Sequence, residues 1–157
     1  MRPKTKHAAI TGHTSGLGAS FYKLLADQGY KVHGFSQSNG YDLRDYSQVG
    51  RMLSAIKGFD LFINNAKPDY SQSQILYRLV REWDSGSIIS IGSDATINSP
   101  RWTDTFLLEY LTQKTALVHA HQVLTPVAKC KLILVHPTHL GDNTDMYVNT
   151  LITTLKL

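Results

Sequence analysis

A glycine-rich turn lies near the start of the chain and reads Thr11-Gly12-His13-Thr14-Ser15-Gly16-Leu17-Gly18. The short apolar run 7–11 before it predicts a strand, and the helical spacing of apolar residues from Leu17 to Leu25 after it predicts a helix that ends at Gly29. A strand that enters such a turn and leaves as a helix presents free backbone N–H groups, which can hold the pyrophosphate of a dinucleotide. The same glycines also fit a turn that only packs a helix against a strand, so other residues must distinguish the two.

The remaining chain repeats this alternation of short apolar runs and amphipathic segments. Further strands are predicted at 31–36, 41–43, 60–64, 87–91 and 131–135. Helices are predicted at 45–56, 71–83, 107–124 and in the tail at 148–155. This order predicts a doubly wound, Rossmann-type α/β fold with a parallel sheet of about six strands, covered by helices on both faces. No linker or repeat divides the sequence, so we expect residues 1–157 to form a single dinucleotide-binding domain.

Composition excludes several classes of protein. The 157 residues are 42% hydrophobic, with one cysteine and a net charge of +4, as expected of one globular domain without disulfides. The apolar stretches fall far short of the ~20 residues that span a bilayer, so no membrane helix is expected. The only basic cluster, Arg2, Lys4 and Lys6, is too small for a nucleic-acid footprint. The lone cysteine, Cys130, and the absence of a long apolar leader favour a cytoplasmic protein.

The seven histidines do not predict a metal site. His119 and His121 are two positions apart on a predicted helix, which places them about 200° apart around its axis. His136 and His139 flank a proline turn without a cysteine nearby. We therefore expect no bound metal, and we expect His139 to line the substrate side of a pocket.

Polar residues follow the later strands, where ligands bind in doubly wound folds. Asn65 and Ala66 come after the run 60–64, and Ser93 comes after the run 87–91. Tyr110 and Lys114 are four residues apart on the long helix and so share one face. An ammonium beside a phenol, with an oxidised nicotinamide nearby, favours the phenolate and lets a tyrosine exchange protons with a carbonyl or an alcohol.

The combination of these motifs, in this order over roughly residues 7–140, resembles the short-chain dehydrogenase/reductase family, of which the chain would be an unusually short member. The resemblance implies that Tyr110 is the general acid in carbonyl reduction. It also implies that Lys114 favours the phenolate and holds the nicotinamide ribose, and that Ser93 hydrogen-bonds the substrate oxygen. The expected cofactor-binding residues are Gly12, Thr14, Ser15, Gly16, Leu17, Gly18, Ser36, Gln37, Ser38, Asp42, Leu43, Asn65, Ala66, Tyr110, Lys114, Pro137 and Leu140.

The chain departs from the family pattern at several positions. The segment 68–87 lacks the asparagine that positions a water in the family's proton relay, and Gln72 or Gln74 is the candidate substitute. Ser90 and Thr96 remain alternatives to Ser93, because the spacing to Tyr110 is about four residues longer than usual. Two further differences are Lys67, where the family has glycine, and Thr138, where the family's Pro-Gly has its glycine.

The end of the second strand bears on the choice of cofactor. Ser36-Gln37-Ser38 offers no carboxylate to bind the ribose hydroxyls of NAD, and its absence leaves nothing to repel a 2′-phosphate. We therefore expect NADP rather than NAD, with His13 or Arg44 as further partners of the phosphate.

The leading hypothesis is an NADP-dependent carbonyl reductase or alcohol dehydrogenase that acts on a small carbonyl or hydroxyl compound. The alternative is a dinucleotide-binding protein with little or no turnover. Apolar residues on more than one face of the helix that carries Tyr110 favour a homo-oligomer, either a dimer or a tetramer.

Overall fold

The computed structural model describes residues 4–98 and 105–157. Five strands form one sheet: β1 (His7–Thr11), β2 (Lys31–Phe35), β3 (Leu61–Asn64), β4 (Ser87–Ile91) and β5 (Lys131–Val135). The helices are α1 (Gly16–Asp27), α2 (Tyr46–Ala55), α3 (Ser71–Glu82), α4 (Thr105–Leu124) and α5 (Thr144–Leu155). The predicted doubly wound, Rossmann-type α/β fold is confirmed.

The strands lie in the order β2-β1-β3-β4-β5, and every neighbouring pair is parallel. The chain moves outward from β1 to β2 and then crosses back to place β3 on the other side of β1. The strand order therefore reverses between β1 and β3, which opens a crevice at their carboxyl ends.

Alternate residues of each strand face opposite sides of the sheet and build two cores. In β1, Ala8 and Ile10 pack with α1 and α5, whereas Ala9 packs with the opposite core beneath α2, α3 and α4. In β3 the alternation continues, with Phe62 on the side of α2 to α4. Because both faces are covered, the central strands are mostly apolar on both faces rather than alternating strictly with polar residues.

The predicted strand at 41–43 is wrong, and within the described residues the sheet has five strands instead of about six. A 3₁₀ turn, Gln37–Asn39, follows β2, and the chain bends back so that Tyr41 N–H donates to Ser36 O at 2.9 Å. Asp42 N–H then donates to Gln48 Oε1 at 2.7 Å, so it is not available to pair with β2. Local turn bonds thus replace the ladder that a sixth strand needs.

Helix α2 begins where the sequence indicates. Asp45 is the N-cap, and its carboxylate accepts from the backbone N–H groups of Ser47 and Gln48. The Gln48 side chain accepts from Asp42 N–H at 2.7 Å, instead of from Asp45 N–H, and its Nε2 donates to Asp45 Oδ2 at 3.1 Å. It therefore ties the helix start to the turn after β2.

Two absences hold for the described parts of the chain. In residues 4–98 and 105–157 no helix is long and apolar enough to cross a bilayer. The same residues contain no group of three or more His, Cys, Asp or Glu side chains placed to hold a metal ion.

Candidate active site

A cleft of about 770 Å³ lies beyond the carboxyl ends of the strands, at the point where the strand order reverses. Its walls come from the glycine turn after β1, the segment after β3, the end of β4, helix α4 and the segment after β5. It is lined by Gly12, Ser15, Leu17, Asn65, Ala66, Lys67, Ile91, Gly92, Ser93, Asp94, Ala95, Asn98, Leu107, Tyr110, Lys114, Pro137, Thr138 and His139. The cleft thus joins the glycine turn to the predicted catalytic residues.

The glycine turn has the shape of a cradle for an anionic ligand. Gly12 has a φ of 67°, and a Cβ placed on Gly18 would lie 2.0 Å from Gly12 O, so a side chain at Gly18 would displace the turn. Ser15 is the N-cap of α1, but its side chain makes no capping hydrogen bond, which leaves the first N–H groups of the helix without that partner. These groups fit the pyrophosphate of a dinucleotide.

A buried hydrogen-bond network fixes the turn to the neighbouring strand. Thr11 Oγ1, at the end of β1, accepts from the N–H groups of Asn65 and Ala66 at 3.0 and 3.1 Å. The Asn65 side chain returns hydrogen bonds to the carbonyls of Thr11 and Gly12 at 3.0 and 3.2 Å. The predicted pair Asn65 and Ala66 therefore supports the turn from below and also lines the cleft.

Ser93, Tyr110 and Lys114 converge on the same cleft. Ser93 follows β4 and caps a short 3₁₀ turn, where its Oγ accepts from Ala95 N–H at 3.2 Å. Tyr110 is half-buried on α4, and Lys114 Nζ lies 5.8 Å from the centre of its ring. The two alternatives to Ser93 do not line the cleft: Ser90 Oγ accepts from buried Asn64, and Thr96 Oγ1 donates to Ser93 O.

Lys114 is held by neutral acceptors. Its side chain is only 3% exposed, and Nζ donates to Gln72 Oε1 at 2.8 Å and to Ile91 O at 2.6 Å. Gln72 is itself fixed, because its Nε2 donates to Asn64 O at 2.7 Å and to Ile91 O at 3.0 Å. Burial, together with the positive charge of Lys67, lowers the pKa of Lys114 to about 7.

The structure distinguishes Gln72 from Gln74, the two candidate substitutes for the missing asparagine. Gln72 is buried and contacts Lys114 directly, whereas Gln74 is exposed and lines a groove beside α2 and α3. The sequence reduced the choice to these two residues but did not reveal the direct amide-to-lysine contact, because only the helix register brings Gln72 to the inner face of α3.

A second hollow of about 390 Å³ continues from the cleft, since both are lined by Gly12 and Ala66. The predicted residues at the end of β2 and in the following turn lie here. The lining residues are Gly12, Thr14, Phe35, Ser36, Gln37, Ser38, Tyr41, Asp42, Leu43, Arg44, Ala66 and Pro68. Because it adjoins the glycine turn, the hollow could hold the adenosine half of a dinucleotide whose pyrophosphate lies at that turn.

The charges of this second hollow are largely paired. Arg44 and Asp42 form a two-pronged ion pair, with N–O distances of 3.0 and 2.9 Å, and hydrogen bonds from Arg44 hold the pKa of Asp42 well below its usual range. Ser36 Oγ and Ser38 Oγ lie 2.7 Å apart and are exposed. No carboxylate stands at the end of β2 itself, as the sequence indicates.

Several expected residues lie outside the linings of both hollows. Gly16 and Gly18 belong to the glycine turn but do not line either hollow. Leu140 follows His139, the last residue after β5 that lines the cleft. His13 points away from the second hollow and packs against Gly34 of β2 and the ring of Tyr22. Pro137 and His139 both line the cleft.

The contact between His13 and Gly34 gives a prediction about stability. A Cβ added at Gly34 would lie 2.1 Å from the imidazole of His13, so Gly34→Ala must displace that side chain from its packed position. We expect this variant to lose about 1–3 kcal/mol of unfolding free energy in urea titrations, as overpacking typically does. The double variant with His13→Ala should recover most of the loss. A single Gly34→Ala variant as stable as the wild type would contradict the contact.

Comparisons with solved structures identify the fold. The chain superposes on a small-chain dehydrogenase with a TM-score of 0.75 and 19% identity, over 94% of this chain and 90% of that chain. It superposes on a metagenomic short-chain oxidoreductase in complex with NADP with a TM-score of 0.71 and 17% identity, over 95% and 90%. It superposes on the 3-ketoacyl-(acyl-carrier-protein) reductase from Brucella melitensis complexed with NADH with a TM-score of 0.70 and 18% identity, over 85% of this chain and 75% of that chain.

Sequence comparisons add no closer relative: no protein-family model matches the chain, and a search of curated proteins finds no match. At identities below 20%, the structural matches establish the fold rather than the reaction. The chain has the fold of the short-chain dehydrogenases and reductases over nearly its whole length.

Proposed function

We propose that this protein is an NADP-dependent carbonyl reductase or alcohol dehydrogenase acting on a small carbonyl or hydroxyl compound. One observation carries the proposal: a single cleft runs from a glycine turn fit for pyrophosphate to Ser93, Tyr110 and Lys114. The fold it shares with dehydrogenases solved in complex with NADPH and NADP supports the same assignment.

The residues of the cleft divide the work of carbonyl reduction. A bound nicotinamide cofactor supplies the hydride. Ser93 donates a hydrogen bond to the carbonyl oxygen, and Tyr110 gives that oxygen a proton as negative charge develops on it. The Lys114 ammonium beside the ring stabilises the negative charge left on the phenol oxygen.

Lys114 also has a hydrogen bond available for a ligand. An ammonium has three donors, and two of them are used by Gln72 and Ile91. Because Lys114 lines the cleft, the third donor suits a ribose hydroxyl of the cofactor. Gln72 and Ile91 therefore set the position from which the lysine acts.

The preference for NADP rests on the second hollow. Two exposed hydroxyls, Ser36 and Ser38, stand where a carboxylate would otherwise bind the ribose of NAD. Arg44 lines the same hollow, but its guanidinium is paired with the Asp42 carboxylate, so the preference rests on the two hydroxyls rather than on a free cation. Solved structures of this fold contain NAD as well as NADP, so the preference is a property to be measured on this chain.

A carboxylate placed at the end of β2 should reverse the preference. We expect Ser36→Asp to lower the ratio of kcat/KM for NADPH to that for NADH at least tenfold, because a like charge near the 2′-phosphate costs about 1–4 kcal/mol at 4 Å. Steady-state kinetics with both cofactors measures the ratio. The neutral Ser36→Asn variant is the control and should change the ratio far less. An unchanged ratio in Ser36→Asp would show that the phosphate binds elsewhere.

The proposed reaction is tested by mixing the protein with NADPH and a panel of small aldehydes and ketones. We expect NADPH absorbance to fall with at least one of them, and cofactor binding to be saturable by fluorescence. Saturable NADPH binding without turnover on any carbonyl would favour the alternative, a dinucleotide-binding protein. Failure to bind either nicotinamide dinucleotide would overturn both accounts.

A further inference from the structure

Lys67 places a positive charge at the reacting end of the cleft. It follows Asn65 and Ala66 beyond β3, it is exposed, and it lines the cleft. Its Nζ lies 4.5 Å from the centre of the Tyr110 ring, nearer than Lys114 at 5.8 Å. The phenol is therefore in contact with one cation that is buried and another that faces solvent.

Lys67 has no carboxylate bound to it among the described residues. The ion pairs in residues 4–98 and 105–157 are Lys23–Asp145, Arg44–Asp42 and Lys129–Asp84. Asp94 lines the cleft and accepts from Asn98 Nδ2 at 2.8 Å. Asp69 and Glu109 line a small hollow with Lys67, and neither forms an ion pair with it. The positive charge of Lys67 also acts on buried Lys114, because it contributes to lowering the pKa of that side chain.

The groups that could bind the cofactor phosphates are other than Lys67. The glycine turn and the start of α1 offer backbone N–H groups to the pyrophosphate, and the second hollow offers hydroxyls to a 2′-phosphate. Lys67 instead stands over the ring of Tyr110, beside which the substrate carbonyl must lie to receive a proton. Its ammonium is placed to meet a charge on the substrate.

We propose that Lys67 makes the cleft select carbonyl substrates that carry a carboxylate close to the carbonyl group, that is, small oxo acids. This inference rests on the proposed reductase function and names the class of substrate for it. The carboxylate would contact the Lys67 ammonium while its carbonyl oxygen faces Ser93 and Tyr110. A neutral carbonyl compound of the same shape lacks the ionic contact.

Matched substrates test the inference. Pyruvate and acetoacetate are compared with their methyl esters, which keep the reacting carbonyl and remove the charge. In the wild type we expect kcat/KM to favour each acid over its ester. In Lys67→Met this preference should fall about fivefold, as expected for one ion pair with an exposed lysine, and in Lys67→Glu it should fall further. Raising the ionic strength should reduce the preference of the wild type only.

The control variant is Lys57→Met, which removes the same charge from an exposed lysine outside both hollows. It should keep the acid-to-ester preference of the wild type. A preference unchanged in Lys67→Met would overturn the inference. So would an equal loss for acid and ester with a raised Kd for NADPH, because Lys67 would then serve the cofactor.

A binding measurement separates this inference from the proposed reaction. Pyruvate and its methyl ester are titrated by calorimetry into protein saturated with NADP⁺, which cannot reduce them. Tighter binding of pyruvate that depends on Lys67, without any turnover with NADPH, would sustain the anion-selecting role and refute the reductase. Turnover without dependence on Lys67 would refute the anion-selecting role alone.

Discussion

Tyr110→Phe should lower the turnover of NADPH with any carbonyl substrate about a thousandfold. The variant keeps the ring that packs against Lys67 and borders the cleft, and it removes only the hydroxyl that would give a proton to the substrate oxygen. General acid catalysis by one positioned side chain contributes typically 10²–10⁴-fold, which sets the size of the expected loss. The measurement is kcat from NADPH oxidation at saturating substrate.

Cofactor binding provides the control for this variant. The glycine turn and the second hollow are unchanged, so the Kd for NADPH measured by fluorescence should stay within about threefold of the wild type. The unfolding midpoint should also be close to that of the wild type, because Tyr110 is half-buried rather than central to the core. Activity retained within tenfold would show that another group supplies the proton.

The second large effect concerns pH, since Lys114 has a pKa of about 7 in the folded protein. Below that pH the side chain is an ammonium, and above it the neutral amine predominates. If the charge supports proton transfer by Tyr110, kcat/KM should fall as the pH rises through about 7. Gln72→Glu would place a carboxylate on Lys114 Nζ in place of the neutral Oε1, so the fall should move at least about one unit to higher pH.

Gln72→Met is the matched variant, because it keeps the length of the side chain and removes the acceptor. We expect it to lower kcat/KM by about tenfold or more without moving the fall to higher pH, since Lys114 loses its fixed position but gains no anion. Identical pH profiles in the wild type, Gln72→Glu and Gln72→Met would contradict the role of Gln72. Lys114→Met should abolish the fall together with most of the activity.

The same side chain makes stability depend on pH. The unfolded lysine has a pKa of 10.5, and the folded one about 7, so between these values the unfolded chain binds a proton that the folded chain releases. The free energy of unfolding should therefore rise with pH across this window, by at most about 5 kcal/mol. Urea titrations of the wild type and Lys114→Met at several pH values isolate this contribution. Equal pH dependence in both proteins would show that the lysine is not buried as described.

The sequence predicted the architecture because the buried strands carry their signal locally. The runs that became β3, β4 and β5 are apolar on both faces, as parallel strands between two helical layers must be. The residues after them, Asn65, Ser93 and the segment from Pro137 to His139, meet at one edge because parallel strands end on the same side.

The predictions that failed or stayed open depend on contacts between residues far apart in the sequence. A local pattern of apolar and polar residues does not contain such contacts. The segment 41–43 has strand-like residues, but the N–H groups of Tyr41 and Asp42 donate to Ser36 O and Gln48 Oε1, so they cannot pair with β2. The role of Gln72 depends on which face of α3 looks inward, and that is fixed by packing against α4. His13, considered as a phosphate ligand, instead occupies the space left by Gly34.

The most direct test is a crystal structure of the protein grown with NADP⁺. We expect the pyrophosphate at the N–H groups that begin α1 and the 2′-phosphate beside Ser36 and Ser38. We expect the nicotinamide ring between Ser93 and Tyr110, with Lys114 Nζ hydrogen-bonded to its ribose. A cofactor bound elsewhere, or one whose nicotinamide lies outside the cleft that holds Tyr110, would refute the proposed function.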